Sequence, residues 1–153
     1  MGDTGGAHDS TSNDRDAHLA ELGGALRAGG SRRTAPRLHI LRALAENRGH
    51  LSATEIHRHI QAAGERTNLA TVYRSVDRLT ALGLAHSVSG AEVRYGLGRD
   101  GHAHATCTGC GTVADIAEAP TAGAAVALAQ ASGFTAGPLV MSGLCPVCRA
   151  RGQ

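Results

Sequence analysis

His102-Ala-His104-Ala-Thr-Cys107-Thr-Gly-Cys110, answered 35 residues later by Cys145-Pro-Val-Cys148, decides how the last third of this 153-residue chain folds. The two C-x-x-C pairs hold every cysteine in the sequence. Two thiolates two residues apart make a tight knuckle, and two knuckles supply the four sulfurs of a tetrahedral Zn²⁺ site. A redox dithiol or a pair of disulfides would use the same residues. No thioredoxin-like βαβ pattern surrounds them, so the spacing favours a structural zinc on Cys107, Cys110, Cys145 and Cys148.

Working outward, His102 and His104 alternate on a strand and therefore point to one face. If Thr108-Gly109 closes a two-residue turn, strands over 102–107 and 111–116 pair antiparallel and Cys107 faces Cys110. His102 then lies opposite Asp115, with Cβ atoms about 5 Å apart. Two imidazoles and a carboxylate on one face are three ligands for a second metal, in a harder site than the thiolate one. Histidines on an exposed sheet edge are the plainer alternative; the adjacent knuckle and the facing Asp favour ligands. The same three residues would suit a zinc hydrolase, but no nucleophile, base or pocket signature accompanies them, and the chain reads as a non-enzyme.

An Ala-rich helix over about 118–131 and a strand over about 138–144 complete this module, which spans 102–149. Its core is too small to stand comfortably alone, and dimerisation is the natural remedy. Residues 99–101 (Arg-Asp-Gly) form the linker before it.

Upstream, residues 17–98 read as three capped helices and a hairpin after a short helix over 17–27. Residues 1–16, polar and poor in apolar side chains, read as a disordered tail. Thr34 is placed to cap a helix to about Glu46 that buries Leu38, Leu41 and Leu44, with Pro36 in its first turn. Ser52 and Glu55 form a capping box. Asn68 caps a helix over 69–82, stopped at Gly83, with the apolar stripe Leu69, Val72, Val76 and Leu79. Strands over 84–88 and 92–97 follow, joined by a Ser89-Gly90 turn. The third helix turns Thr71, Arg74 and Arg78 outward, and helices plus hairpin make the winged form of the helix-turn-helix.

Charge supports a polyanionic partner for this part. Residues 31–100 carry eleven arginines against six acids, whereas 1–30 are acidic and 101–153 balanced. There is no lysine, so every cation is a guanidinium suited to phosphate and guanine. A solvated arginine face would look similar; concentration of the whole chain's positive charge here favours double-stranded DNA. No apolar run approaches the roughly 20 residues of a membrane span, and the cysteines fit a reducing, cytoplasmic setting.

The order Thr34-x-Pro-Arg37, His50-Leu-Ser-Ala, Leu69-Ala-Thr-Val-Tyr73-Arg74, His102-x-His104-x-x-Cys107-x-x-Cys110-Gly and Cys145-x-x-Cys148 resembles the ferric uptake regulator superfamily over about residues 17–149. The resemblance implies an α+β homodimer: an N-terminal winged helix-turn-helix domain and a small C-terminal α/β dimerisation domain with the four-cysteine zinc site. It implies DNA contacts from Thr34, Arg37, Thr71, Tyr73, Arg74 and Arg78 on a palindromic operator. It also implies a regulatory divalent metal, Zn²⁺ or Fe²⁺ foremost, on His50, His102 and His104 with Asp115, to which His86 would add a nitrogen. Gly96 stands where other members place Glu, Asp or Cys. Gly101, Ala103, Ala122 and Gly137 stand where many place a second site, so one exchangeable metal per protomer is expected. The implied function is a repressor of metal-homeostasis genes with metal as corepressor; an iron-loaded peroxide sensor is the alternative within the superfamily.

Overall fold

The computed structural model describes residues 10–47, 49–98, 102–116, 118–135 and 138–152. In chain order the elements are α1 (Ser10–Ala28), α2 (Ala35–Asn47), β1 (Leu51–Ser52), α3 (Ala53–Ala62), α4 (Leu69–Ala81), β2 (Ala85–Val88) and β3 (Arg94–Leu97). Then come β4 (Ala103–Cys107), β5 (Val113–Ile116), α5 (Glu118–Ser132), β6 (Val140–Gly143) and α6 (Pro146–Ala150). The first seven build a winged helix-turn-helix, and the last five a sheet with two helices.

Aliphatic burial holds the first unit together. Leu26, Ile40, Leu41, Leu44, Ile56 and Leu79 are fully buried in one cluster drawn from four helices. Each such side chain contributes roughly 1.5–3 kcal/mol by leaving water. The caps act as the sequence dictates. Ser52 Oγ accepts from the Glu55 amide at 3.3 Å while Glu55 Oε2 accepts from the Ser52 amide at 2.8 Å. Asn68 Oδ1 accepts from the Thr71 amide at 2.8 Å. Val72, Val76 and Leu79 form the buried stripe of α4, with Leu69 packed at its edge.

Several expectations are corrected. Helix α1 begins at Ser10, so residues 10–16 are helical rather than part of a tail over 1–16; residues 1–9 lie outside the described residues. Once the Leu22–Leu26 end is nucleated by packing, each further helical residue costs little. In α2, Ile40 is buried along with Leu41 and Leu44, while Leu38 is only partly buried. The wing connection is a five-residue loop over 89–93, not a Ser89-Gly90 turn, because Val88 pairs with Arg94. Strand β1 was not foreseen: at two residues it carries no alternation, yet it pairs with β3 through Leu51–Tyr95 and Ser52–Arg94. The sheet order is β1-β3-β2.

In the second unit β4 is central, antiparallel to β5 and parallel to β6. The knuckle turn is also longer than two residues. The Cys107 amide donates to the Thr112 carbonyl at 2.8 Å and the Gly111 amide to the Cys107 carbonyl at 2.9 Å. Gly111 takes φ +72°, which a side chain would resist. The longer turn moves the pairing by two residues, so that His104, not His102, lies opposite Asp115. An even shift keeps each side chain on its face.

Candidate metal centres

The sulfur cluster assembles from three places: Cys107 at the end of β4, Cys110 in the turn after it, and Cys145 with Cys148 at the start of α6. All four sulfurs lie within 4.8 Å of one another, and none is in a disulfide. Cys110 Sγ and Cys145 Sγ are 3.9 Å apart; the edge of a tetrahedron with Zn–S of about 2.3 Å is about 3.8 Å. Cys145 is the N-cap of α6, its sulfur accepting from the Cys148 amide at 3.4 Å, and Pro146 opens the helix. This five-residue helix was not foreseen from the sequence. The Cys145 amide donates to Cys107 Sγ at 3.2 Å and leads the contacts that hold that thiol down to about 6. Burial, followed by contact with the other three sulfurs, pushes Cys148 up to about 12. Sulfurs crowded at this spacing repel as thiolates until a cation balances them, and a divalent thiophilic ion fits the donors.

The second cluster draws on both units. His50 precedes β1, His86 lies on β2, His102 just precedes β4 and His104 lies within it. One nitrogen from each falls within 4.8 Å of the others, and ring centroids are 4.5 Å apart for His102–His104 and 4.9 Å for His50–His104. Asp115 on β5 completes the group: its Oδ1 is 3.1 Å from His102 Nε2, 3.5 Å from His104 Nε2 and 3.6 Å from His50 Nδ1. The structure therefore brings together all five residues expected there, including His86.

Protonation is set by the surroundings. His86 Nδ1 lies 3.2 Å from the Gly98 carbonyl, which can only accept, so Nδ1 donates there and Nε2 faces the cluster. His50 Nε2 is 2.8 Å from that atom. Burial holds His50 down to about 4 against the pull of Asp115, so it is neutral at pH 7 and no proton competes for its lone pair. His104 has 0% exposure. His50 Nδ1 is a buried nitrogen with no hydrogen bond, and His102 Nε2 has the Asp115 carboxylate beside it, an arrangement that a cation would satisfy. The residues fit a nitrogen-rich divalent site.

One network had no sequence signal. Arg94 Nη1 donates to Glu55 Oε2 at 2.7 Å and to the His50 carbonyl at 3.2 Å, and Nη2 reaches Glu55 Oε1 at 3.3 Å. The capping glutamate of α3 thus grips the backbone beside a cluster histidine. The partners are 39 and 44 residues apart, beyond any local pattern.

Among the expected nucleic-acid contacts, Tyr73, Arg74 and Arg78 are exposed on α4, and Arg74 Nη2 donates to Thr71 Oγ1 at 3.1 Å. Thr34 is half-buried at the start of α2. Arg37, in the first turn of α2, donates to the Arg32 carbonyl at 2.7 Å and Ser31 Oγ at 2.9 Å. Of the positions expected to lack a second site, Gly101 and Gly137 and the linker 99–101 lie outside the described residues; Ala103 is buried on β4.

The sequence profile of the ferric uptake regulator family matches residues 28–141. A ferric uptake regulation protein of Legionella pneumophila is 32% identical over 130 residues, covering 81% of this chain and 96% of its own. Among solved structures, the Vibrio cholerae ferric uptake regulator superposes with a TM-score of 0.65 at 28% identity, over 79% of this chain and 97% of its own. A zinc uptake regulator solved with zinc and DNA superposes with a TM-score of 0.64 at 25% identity, over 90% and 97%.

Proposed function

Because this chain belongs to the ferric uptake regulator family of metal-responsive transcriptional regulators, we propose that it is a dimeric repressor whose operator affinity is set by a divalent metal held at the five-residue cluster. Residues 17–98 serve as its DNA-binding domain, 99–101 as the hinge and 102–149 as the dimerisation domain. The observation that carries the reading is the origin of the donors: His50 and His86 come from the winged-helix unit, and His102, His104 and Asp115 from the second sheet. Bound there, the cation supplies the attraction that ties the two units in one orientation.

The chain's own residues convert that orientation into DNA affinity. His50 is two residues before Ser52, the N-cap of α3, and α3 packs on α4. Fixing His50 against β4 therefore fixes where α4 sits relative to the dimer axis. Tyr73, Arg74 and Arg78 then meet the two half-sites of a palindrome at a set spacing. Thr34, Arg37 and Thr71 contact the DNA beside them, with Arg37 held in place by the Arg32 carbonyl and Ser31. The ligand raises affinity only by favouring this arrangement over others.

The four sulfurs hold a structural Zn²⁺. For the regulatory site, four imidazoles and one carboxylate without thiolate favour a borderline ion, with Zn²⁺ first. Neutral His50 permits loading at neutral pH. The test is an operator titration in Zn²⁺, Fe²⁺, Mn²⁺ and Ni²⁺ with elemental analysis of the bound protein. One exchangeable metal per protomer beyond the sulfur-bound zinc, with metal-stimulated binding, is the expected result. Operator affinity indifferent to every ion would overturn the reading.

A further inference from the structure

Gly96 on β3 is the cross-strand partner of His86. A Cβ at this position would lie 2.5 Å from His86 Cε1, 2.6 Å from His86 Nε2 and 2.7 Å from His50 Nε2. Those separations are far inside van der Waals contact. Backbone conformation does not call for glycine here, because Gly96 is absent from the positive-φ glycines and lies within regular strand pairing. Space does. Neither ring can easily retreat: His86 is buried and tied through Nδ1 to the Gly98 carbonyl, and His50 is buried between Asp115 and His86.

From this we infer that Gly96 is the specificity-determining position of the interdomain cluster: its missing side chain admits His86, and so makes the site one of four imidazoles and a carboxylate. Any side chain at 96 and the His86 ring exclude one another. The donor set is thereby decided by a residue that donates nothing. With a methyl at 96 the site falls back to His50, His102, His104 and Asp115. With Asp there, a carboxylate oxygen takes the place of an imidazole nitrogen, and the harder set moves preference from Zn²⁺ toward Mn²⁺ and Fe²⁺. The inference rests on the cluster being the regulatory metal site.

The experiment uses the full chain with its sulfur-bound zinc in place. Zinc affinity of the exchangeable site is measured by competition with a chromophoric chelator for wild type, Gly96→Ala, Gly96→Asp and His86→Ala. Imidazole ¹⁵N resonances are followed during the titration. Wild type should shift all four cluster histidines. Gly96→Ala should lose at least about tenfold in zinc affinity, the scale at which even indirect partners of ligands act, and its His86 resonance should stay still while those of His102 and His104 move. His86→Ala should match that loss, and Gly96→Asp should narrow the gap between Zn²⁺ and Mn²⁺. Retained sulfur-bound zinc and an unchanged melting profile certify the fold of each variant.

Wild-type affinity in Gly96→Ala with His86 still responding to zinc would overturn the inference alone. So would wild-type affinity in His86→Ala, whatever becomes of Gly96→Ala. A wild-type chain that takes up no zinc beyond the four-sulfur site would overturn the parent reading, and this one with it.

Discussion

His104 carries the sharpest consequence at the scale of single residues. It is wholly buried, next to Asp115 and within one ring's width of His50, His86 and His102. His104→Ala should leave the sulfur-bound zinc and the basal, metal-independent DNA affinity in place while abolishing metal stimulation, as read by elemental analysis and operator titration. His50→Ala should do the same from the other unit; full metal response in that variant would break the interdomain account. Cys107→Ser should instead strip zinc and unfold the second unit, because binding at four thiolates is coupled to folding. A folded, zinc-free protein by circular dichroism and metal analysis would refute the four-sulfur site. These residues were legible because their chemistry is local: C-x-x-C and His-x-His state their geometry in three or four positions. His50 and His86 were reached only through the resemblance, since nothing in their flanking sequence marks them. Gly96 was marked by the same resemblance, but only as a lost ligand; that its missing side chain makes room for His86 has meaning only once the atoms around it are placed.

Individual elements show where local rules suffice and where they fail. The capping box on α3 and the Asn68 cap on α4 were readable because each is a contact over three residues. The β4–β5 register was misplaced by two residues because turn length depends on Gly111 and on the sulfurs gathered beneath it. Strand β1 was unreadable because only its partner β3 makes it a strand. The Glu55–Arg94 pair yields a test at this scale. Burial alone would raise the Glu55 carboxyl, but the Ser52 amide and Arg94 outweigh it and hold the group below its ordinary 4.5. A folded value below the unfolded one stabilises fully above about 4.5 and is lost as pH falls through the lower folded value. Glu55→Gln should therefore flatten the acid limb of the stability curve in that window, measured by urea unfolding from pH 5 to roughly pH 3. On α4, Arg74→Ala should cost on the order of 1–3 kcal/mol of operator binding if the guanidinium reads a base. A uniform loss across sequences with a flatter salt slope would assign it to phosphate.

For the molecule as a whole, the second unit leaves several large apolar side chains exposed. Leu128 on α5 is 57% exposed, Phe134 beyond it 79% and Met141 on β6 58%. A second copy of the chain is the partner the proposed function requires. Leu128→Asp with Met141→Asp should shift sedimentation from dimer to monomer at micromolar concentration and cut operator affinity, leaving sulfur-bound zinc in place; an unchanged dimer would move the interface elsewhere. The sulfur cluster has a mechanical meaning too. Its donors fall on either side of α5, Cys107 and Cys110 before it and Cys145 and Cys148 after it, and the parallel strands β4 and β6 each lead into one of the two pairs. The polypeptide from Glu118 to Leu139 is thus a handle on a ring whose clasp is the ion. A cut engineered into that handle should leave two fragments travelling together on a sizing column, and a chelator strong enough to empty the sulfurs should release them.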